Sequence, residues 1–128
     1  MSKHVVPSLF ALALAAVAVQ SEVLVPAGSG WKYLTGGLNP GTTWTNLTFD
    51  DSAWLSGPAP LGDNLEGGVQ TVTTVIDIGP ASRYPTVVFR RRFVVTNASI
   101  YIGLTVRLQR DDGAAVYLNG SEIVRDGL

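Results

Sequence analysis

Residues 114–125 read Ala-Ala-Val-Tyr-Leu-Asn-Gly-Ser-Glu-Ile-Val-Arg, two apolar runs parted by the dipeptide Asn119-Gly120. Asn-Gly suits a two-residue turn in which both central residues take positive φ, so the stretch predicts a tight type I′ hairpin. In that register Leu118 faces Ser121, Tyr117 faces Glu122 and Val116 faces Ile123. Val116, Leu118 and Ile123 then share a side, which is expected to be the core side.

Working outward, the same strand grammar recurs. After residue 21 no segment holds apolar residues at i, i+3, i+4 and i+7, whereas β-branched residues and alternation recur between Gly and Pro punctuation. Residues 69–78 are rich in Val, Thr and Ile. Residues 86–95 alternate Val87, Phe89, Phe93 and Val95, and residues 100–108 alternate Ile102, Leu104, Val106 and Leu108. Each is long enough to cross a sheet. Phe49-Asp50-Asp51-Ser52-Ala53-Trp54 predicts one helical turn capped by Asp50 or Asp51, with Phe49 and Trp54 turned inward. Residues 55–68 form a Gly- and Pro-rich stretch that reads as a long functional loop. Short strands without a crossover helix predict an all-β fold, a two-sheet sandwich or jelly roll.

Composition sets the compartment and removes several chemistries. Residues 1–21 combine a polar start with Lys3, an apolar run over 5–19 and small residues at its end, the pattern of a secretory signal peptide cleaved after Ala18 or Ser21. The run is shorter than the roughly 20 residues that span a bilayer. Cleavage removes His4, the one histidine, and the chain has no cysteine. The mature domain, 22–128, would therefore lack Ser-His and Cys-His nucleophile systems and His- or Cys-ligated zinc. A net charge of −1 gives no basic footprint for nucleic acid or an anionic membrane. Three sequons, at Asn46, Asn97 and Asn119, fall among only five asparagines, more than composition alone predicts, and fit an exported glycoprotein. Asn119 doubles as the hairpin turn residue.

Asp111-Asp112, followed by Gly113, have two readings. They are calcium ligands at a sandwich rim, or a β-turn in which Asp bonds its own backbone and Gly113 supplies the positive φ. Asp50, Asp51, Asp63, Glu66, Asp111, Asp112 and Glu122 supply carboxylates, yet no spacing selects a glycosidase pair, so the chain is expected not to be an enzyme. In Arg90-Arg91-Arg92, alternation places Arg91 on the Phe89 and Phe93 face. It predicts that Arg91 is half-buried in an ion pair with Asp50, Asp51, Asp111 or Asp112. Trp31 and Trp54 sit in apolar phrases and read as core. Trp44, between Thr43 and Thr45, is the aromatic expected to offer a face to a ligand.

Taken in order, Trp31-Lys32-Tyr33-Leu34, the phrase from Phe49 to Trp54, Phe89-Arg90-Arg91-Arg92-Phe93, Arg110-Asp111-Asp112-Gly113-Ala114 and Val116-Tyr117-Leu118-Asn119-Gly120 resemble the galactose-binding-like β-sandwich modules of secreted hydrolases. The resemblance covers nearly all of the mature chain and extends to modules attached to metallophosphoesterases and lamin-tail proteins. It is more distant to the sugar-binding jelly roll of β-galactosidase-type glycoside hydrolases. It implies a non-catalytic accessory domain, N-terminal to a hydrolase in the same polypeptide, or a carbohydrate-binding module for neutral glycans. A second similarity, to calcium-dependent lectin modules of yeast adhesins and to anthrax protective antigen, implies a calcium ion on Asp111 and Asp112. Leu128 directly follows the second hairpin strand, so the jelly roll is expected to lack its closing strands and to be marginal in isolation.

Sequencing the N-terminus of the secreted product is expected to begin at Val19 or Glu22; intact Met1 in a membrane fraction is the contrary result.

Overall fold

A computed structural model describes residues 21–63, 72–79 and 84–128. Residues 1–20 of the expected signal peptide, Glu66 and the start of the strand expected over 69–78 lie outside the described residues. Among the described residues seven short strands dominate: β1 (Gly30–Leu34), β2 (Leu55–Pro58), β3 (Leu61–Gly62), β4 (Thr74–Val75), β5 (Val88–Arg90), β6 (Ala114–Leu118) and β7 (Ser121–Asp126). One 3-10 turn, Ala98–Ile100, is the helical structure among the described residues. The chain is all-β in class. No helix of the described residues is long and apolar enough to cross a membrane.

An antiparallel sheet of order β2-β1-β5 forms the frame, with a parallel pair β3-β4 and the antiparallel hairpin β6-β7 beside it. Residues opposite one another in a ladder leave the sheet on the same side. Lys32 stands opposite Arg90 and Ser56, and Leu34 opposite Val88, so these side chains share one face. Tyr33, Leu55 and Phe89 share the other, as do Trp31 and Gly57.

On the first face lies the segment 43–54. The phrase from Phe49 to Trp54 makes a turn, with the Ser52 N–H donating to Asp50 Oδ1 at 2.9 Å and the Trp54 N–H to the Asp51 carbonyl at 3.1 Å. The capping expected of Asp50 is present, within a turn shorter than a helix. Phe49 and Trp54 meet edge to face at 5.5 Å between ring centres, and Lys32 Nζ donates to the Trp54 carbonyl at 3.3 Å.

On the second face β4 crosses β2. A Cβ at Gly57 would stand 2.4 Å from Thr74 Oγ1, so the two strands approach only because that position is glycine. Thr74 Oγ1 in turn donates to the Pro58 carbonyl at 2.7 Å. This corrects the reading of 55–68 as one long loop. Its first part is edge strand β2, where the missing N–H of Pro58 is tolerated and the glycine serves packing, and Leu61–Gly62 is β3. Tyr33, Trp54, Ile76 and Val88 are the buried apolar residues among those described.

Three further expectations change. In β5, Val88 is buried and Phe89 is 36% exposed, so the inward side is that of Val88 and Arg90. Past Arg90 the strand ends and the alternation slips by one: Arg91, Phe93 and Val95 are half-buried, Arg92 and Val94 exposed. The buried ion pair therefore belongs to Arg90 and not to Arg91. Arg90 Nε donates to Asp51 Oδ2 at 2.9 Å, the two side chains being only 9% and 15% exposed. Arg91 instead gives Nη1 to the Gly30 carbonyl. In the hairpin, Leu118 pairs with Ser121 and Tyr117 with Glu122 as expected, but Val116 pairs with Val124 across a bulge. Ile123 is the extra residue, 42% exposed, and Val124 takes the half-buried place expected for it. Residues 100–108, expected as a strand, join no sheet among the described residues.

Arg90→Ala is expected to cost about 3–5 kcal/mol, because it strands the Asp51 carboxylate. Arg91→Ala and Arg92→Ala, whose partners are carbonyls, should each cost about 1 kcal/mol. Urea unfolding of the three variants measures the order; equal losses contradict it.

Candidate functional site

The bulge at Ile123 decides which charges meet on the hairpin. Without it, Glu122 and Arg125, three apart on one strand, would point to opposite sides. With it, Glu122 lies opposite Tyr117 and Arg125 opposite Ala115, and both leave the face that carries Tyr117. Arg125 then grips Glu122 with two bonds, Nε to Oε1 at 2.8 Å and Nη2 to Oε2 at 2.7 Å. The Tyr117 hydroxyl donates to Glu122 Oε2 at 2.8 Å. Trp44 closes the cluster, its ring 5.5 Å from that of Tyr117 at 75°.

Trp44 is held there by the frame. Arg90 Nη1 donates to the Trp44 carbonyl and Nη2 to the Asn46 carbonyl at 3.2 Å, while its guanidinium lies 5.1 Å over the Phe49 ring. Arg92 donates to the Phe49 carbonyl at 2.6 Å. Sheet, loop and hairpin thus meet at one residue, Trp44, through its carbonyl and its ring. The outcome is a half-buried indole and a phenol beside a paired carboxylate and guanidinium, a combination able to stack on a ring and to exchange hydrogen bonds with hydroxyls.

Trp44 was the aromatic expected to face a ligand. Its ring instead meets that of Tyr117 in an edge-to-face contact. Glu122 and Arg125 are the residues sequence reading left out of the site; the Tyr117–Glu122 pairing was legible in the hairpin register, whereas Arg125 was placed by the bulge. Trp31 is half-buried and Trp54 buried, as their apolar phrases implied.

The other expected site residues lie at the far end of the hairpin. The Asp112 N–H donates to Asp111 Oδ1 at 3.1 Å. Asp112, with φ of 60°, supplies the positive φ that had been expected of Gly113. Aspartate tolerates that conformation, and glycine is needed next to it for another reason: a Cβ at Gly113 would stand 2.5 Å from the Gly127 carbonyl oxygen. Arg110 ties the end shut, with Nε on Asp126 Oδ2 at 2.8 Å and Nη1 on the Asp112 carbonyl. Asp112 and Tyr117 are five residues apart, roughly 16 Å along a strand. The Asp111-Asp112 turn and the Trp44–Tyr117 contact thus lie toward opposite ends of β6. Among the described residues no three His, Cys, Asp or Glu side chains group as a cation site.

All three sequon asparagines are exposed. Asn97 Oδ1 accepts from the Ser99 N–H at 3.2 Å and from the Ser99 hydroxyl at 2.6 Å. Asn119 takes φ of 51° as the turn residue, and Asn46 Oδ1 lies 3.6 Å from where a Cβ of Gly120 would be. Compared with known proteins, the chain matches no family model, no curated protein and no solved structure.

The hydrogen bonds from Arg125 and Tyr117 hold the Glu122 carboxyl below the usual carboxylate range, and the bond to Glu122 raises the Tyr117 phenol. A lowered acid stabilises the fold above its ordinary pKa and loses that contribution as pH falls through the lowered value. A raised phenol stabilises below its ordinary pKa and loses it as pH rises through the raised one. The Trp44–Tyr117 near-ultraviolet signal is expected to weaken in strong acid and in strong alkali. Glu122→Gln should return the Tyr117 phenol to its ordinary range in an absorbance titration, with Tyr117→Phe identifying the transition.

Proposed function

We propose that the chain is a secreted, non-catalytic β-sandwich module that works by contact with other protein, as the N-terminal accessory domain of a larger extracellular hydrolase such as a metallophosphoesterase. The finer fold in this reading is a galactose-binding-like jelly roll, glycosylated at its exposed asparagines. One observation carries the proposal. Ile102, Leu104, Val106 and Leu108 are 88%, 53%, 41% and 50% exposed at alternate positions of one segment. Scattered apolar residues on a surface are ordinary, but a contiguous run of this kind marks a surface that protein covers.

A second reading, a module for neutral glycans, is favoured by the cluster of Trp44, Tyr117, Glu122 and Arg125. A stacking ring with a carboxylate and a guanidinium beside it is chemistry that suits sugar hydroxyls. In this reading a calcium ion on Asp111 and Asp112 would act apart from the rings, at the other end of the hairpin.

The lack of cysteine makes a clean probe. Leu104→Cys is expected to react quickly with a thiol reagent in the dilute isolated chain and slowly in the whole secreted protein. Slow reaction in the dilute isolated chain would show the run already covered and overturn the contact reading. A glycan-array signal abolished by Trp44→Ala would establish the second reading.

A further inference from the structure

The covering partner of residues 100–108 can be read from the segment itself. After the 3-10 turn and a bend at Ile102 it runs on to Leu108 with no backbone hydrogen bond to another described residue. A row of free N–H and C=O groups beside alternating apolar side chains is a template for strand pairing. What pairs with it must present apolar side chains at the same period.

Self-pairing meets that demand. With the bend and the end of the 3-10 turn opened, an antiparallel pairing centred on Leu104 sets Ile100 opposite Leu108, Ile102 opposite Val106 and Leu104 opposite its own copy. All are apolar and all are on one side. On the reverse side Gly103 meets Thr105 and Tyr101 meets Arg107. The Tyr101 hydroxyl donates to the Glu22 carboxylate, which leaves a negative charge at that end of the segment. Arg107 is exposed and has no ion-pair partner among the described residues. Antiparallel pairing therefore brings each Arg107 to Tyr101 and Glu22 of the partner subunit, twice over by the two-fold axis. A parallel pairing would instead set the two Arg107 side chains against each other.

We propose that residues 100–108 pair antiparallel with the same residues of a second copy of this chain, about a two-fold axis at Leu104. The proposal rests on the contact reading above and names its partner. As an accessory domain, the module then serves to bring two copies of the protein together.

The test uses the secreted chain by analytical ultracentrifugation and by cross-linking. A dimer is expected at micromolar concentration. Leu104→Cys should form a disulfide-linked dimer under mild oxidation, because the two Cβ atoms face each other at the axis, while Thr105→Cys should not. Arg107→Glu should weaken the dimer about tenfold by setting like charges opposite each other. Glu22→Lys combined with Arg107→Glu should restore it. A monomer at all concentrations, with Leu104→Cys reacting quickly with a thiol reagent, overturns the pairing and leaves the contact reading standing. A monomer in which that cysteine reacts slowly overturns both. Protection that appears only with a hydrolase domain attached, and without a disulfide-linked dimer, assigns the surface to that domain and overturns the pairing.

Discussion

Arg90 is the side chain through which the parts of this chain are connected. It leaves the central sheet opposite Lys32, a like charge that would be unfavourable on a bare face. Asp51 pairs with Arg90 while Lys32 turns to the Trp54 carbonyl, and the cost of burying the Arg90–Asp51 pair is met by further bonds to the guanidinium. Those bonds fix the main chain at Trp44 and Asn46, and Trp44 in turn meets the hairpin at Tyr117. A planar fork with five donors can do this at several acceptors at once; a lysine at the same position would offer a point charge.

How much of this was legible in the sequence depends on the range of the forces involved. The hairpin turn was legible because Asn119-Gly120 meets a local backbone requirement. The all-β class was legible because alternation is local as well. The bulge at Ile123 was not, since the pattern Glu-Ile-Val-Arg is compatible with either register and the choice rests on whether Ile123 or Val124 finds a covered place. In the arginine cluster Arg91 is half-buried beside Phe93 as expected, but the ion pair went to Arg90 for a similar reason. Strict alternation from Phe89 to Phe93 assumes one unbroken strand, but β5 ends at Arg90 and the phase is lost there. Gly57 and Pro58 read as loop residues by propensity and are in an edge strand because they pair with Trp31 and Gly30 of β1, the glycine leaving room for Thr74.

The candidate site shows the same division. Trp44 was singled out for its polar neighbours, and the structure does place it near the surface, in a cluster with charged groups. Asp111 and Asp112 were tied to it by an expected shared rim, and the structure puts the two features toward opposite ends of a ladder five residues long. Single-residue chemistry was visible in the sequence, while the distance between residues was a property of the pairing. Residues 100–108 are the reverse case, in which the sequence asks for a neighbouring strand that the described residues do not supply.

The acceptors chosen by the arginines carry one more implication. Arg90, Arg91 and Arg92 bind the carbonyl oxygens of Trp44, Asn46, Gly30 and Phe49. A main-chain carbonyl is the same group whatever side chain it bears. The brace is accordingly indifferent to the identity of most residues along the loop it holds, Asp51 and Phe49 excepted. The path of the main chain at position 44 is therefore set by its carbonyl, and the indole is left to serve a separate task, the contact with the hairpin at Tyr117.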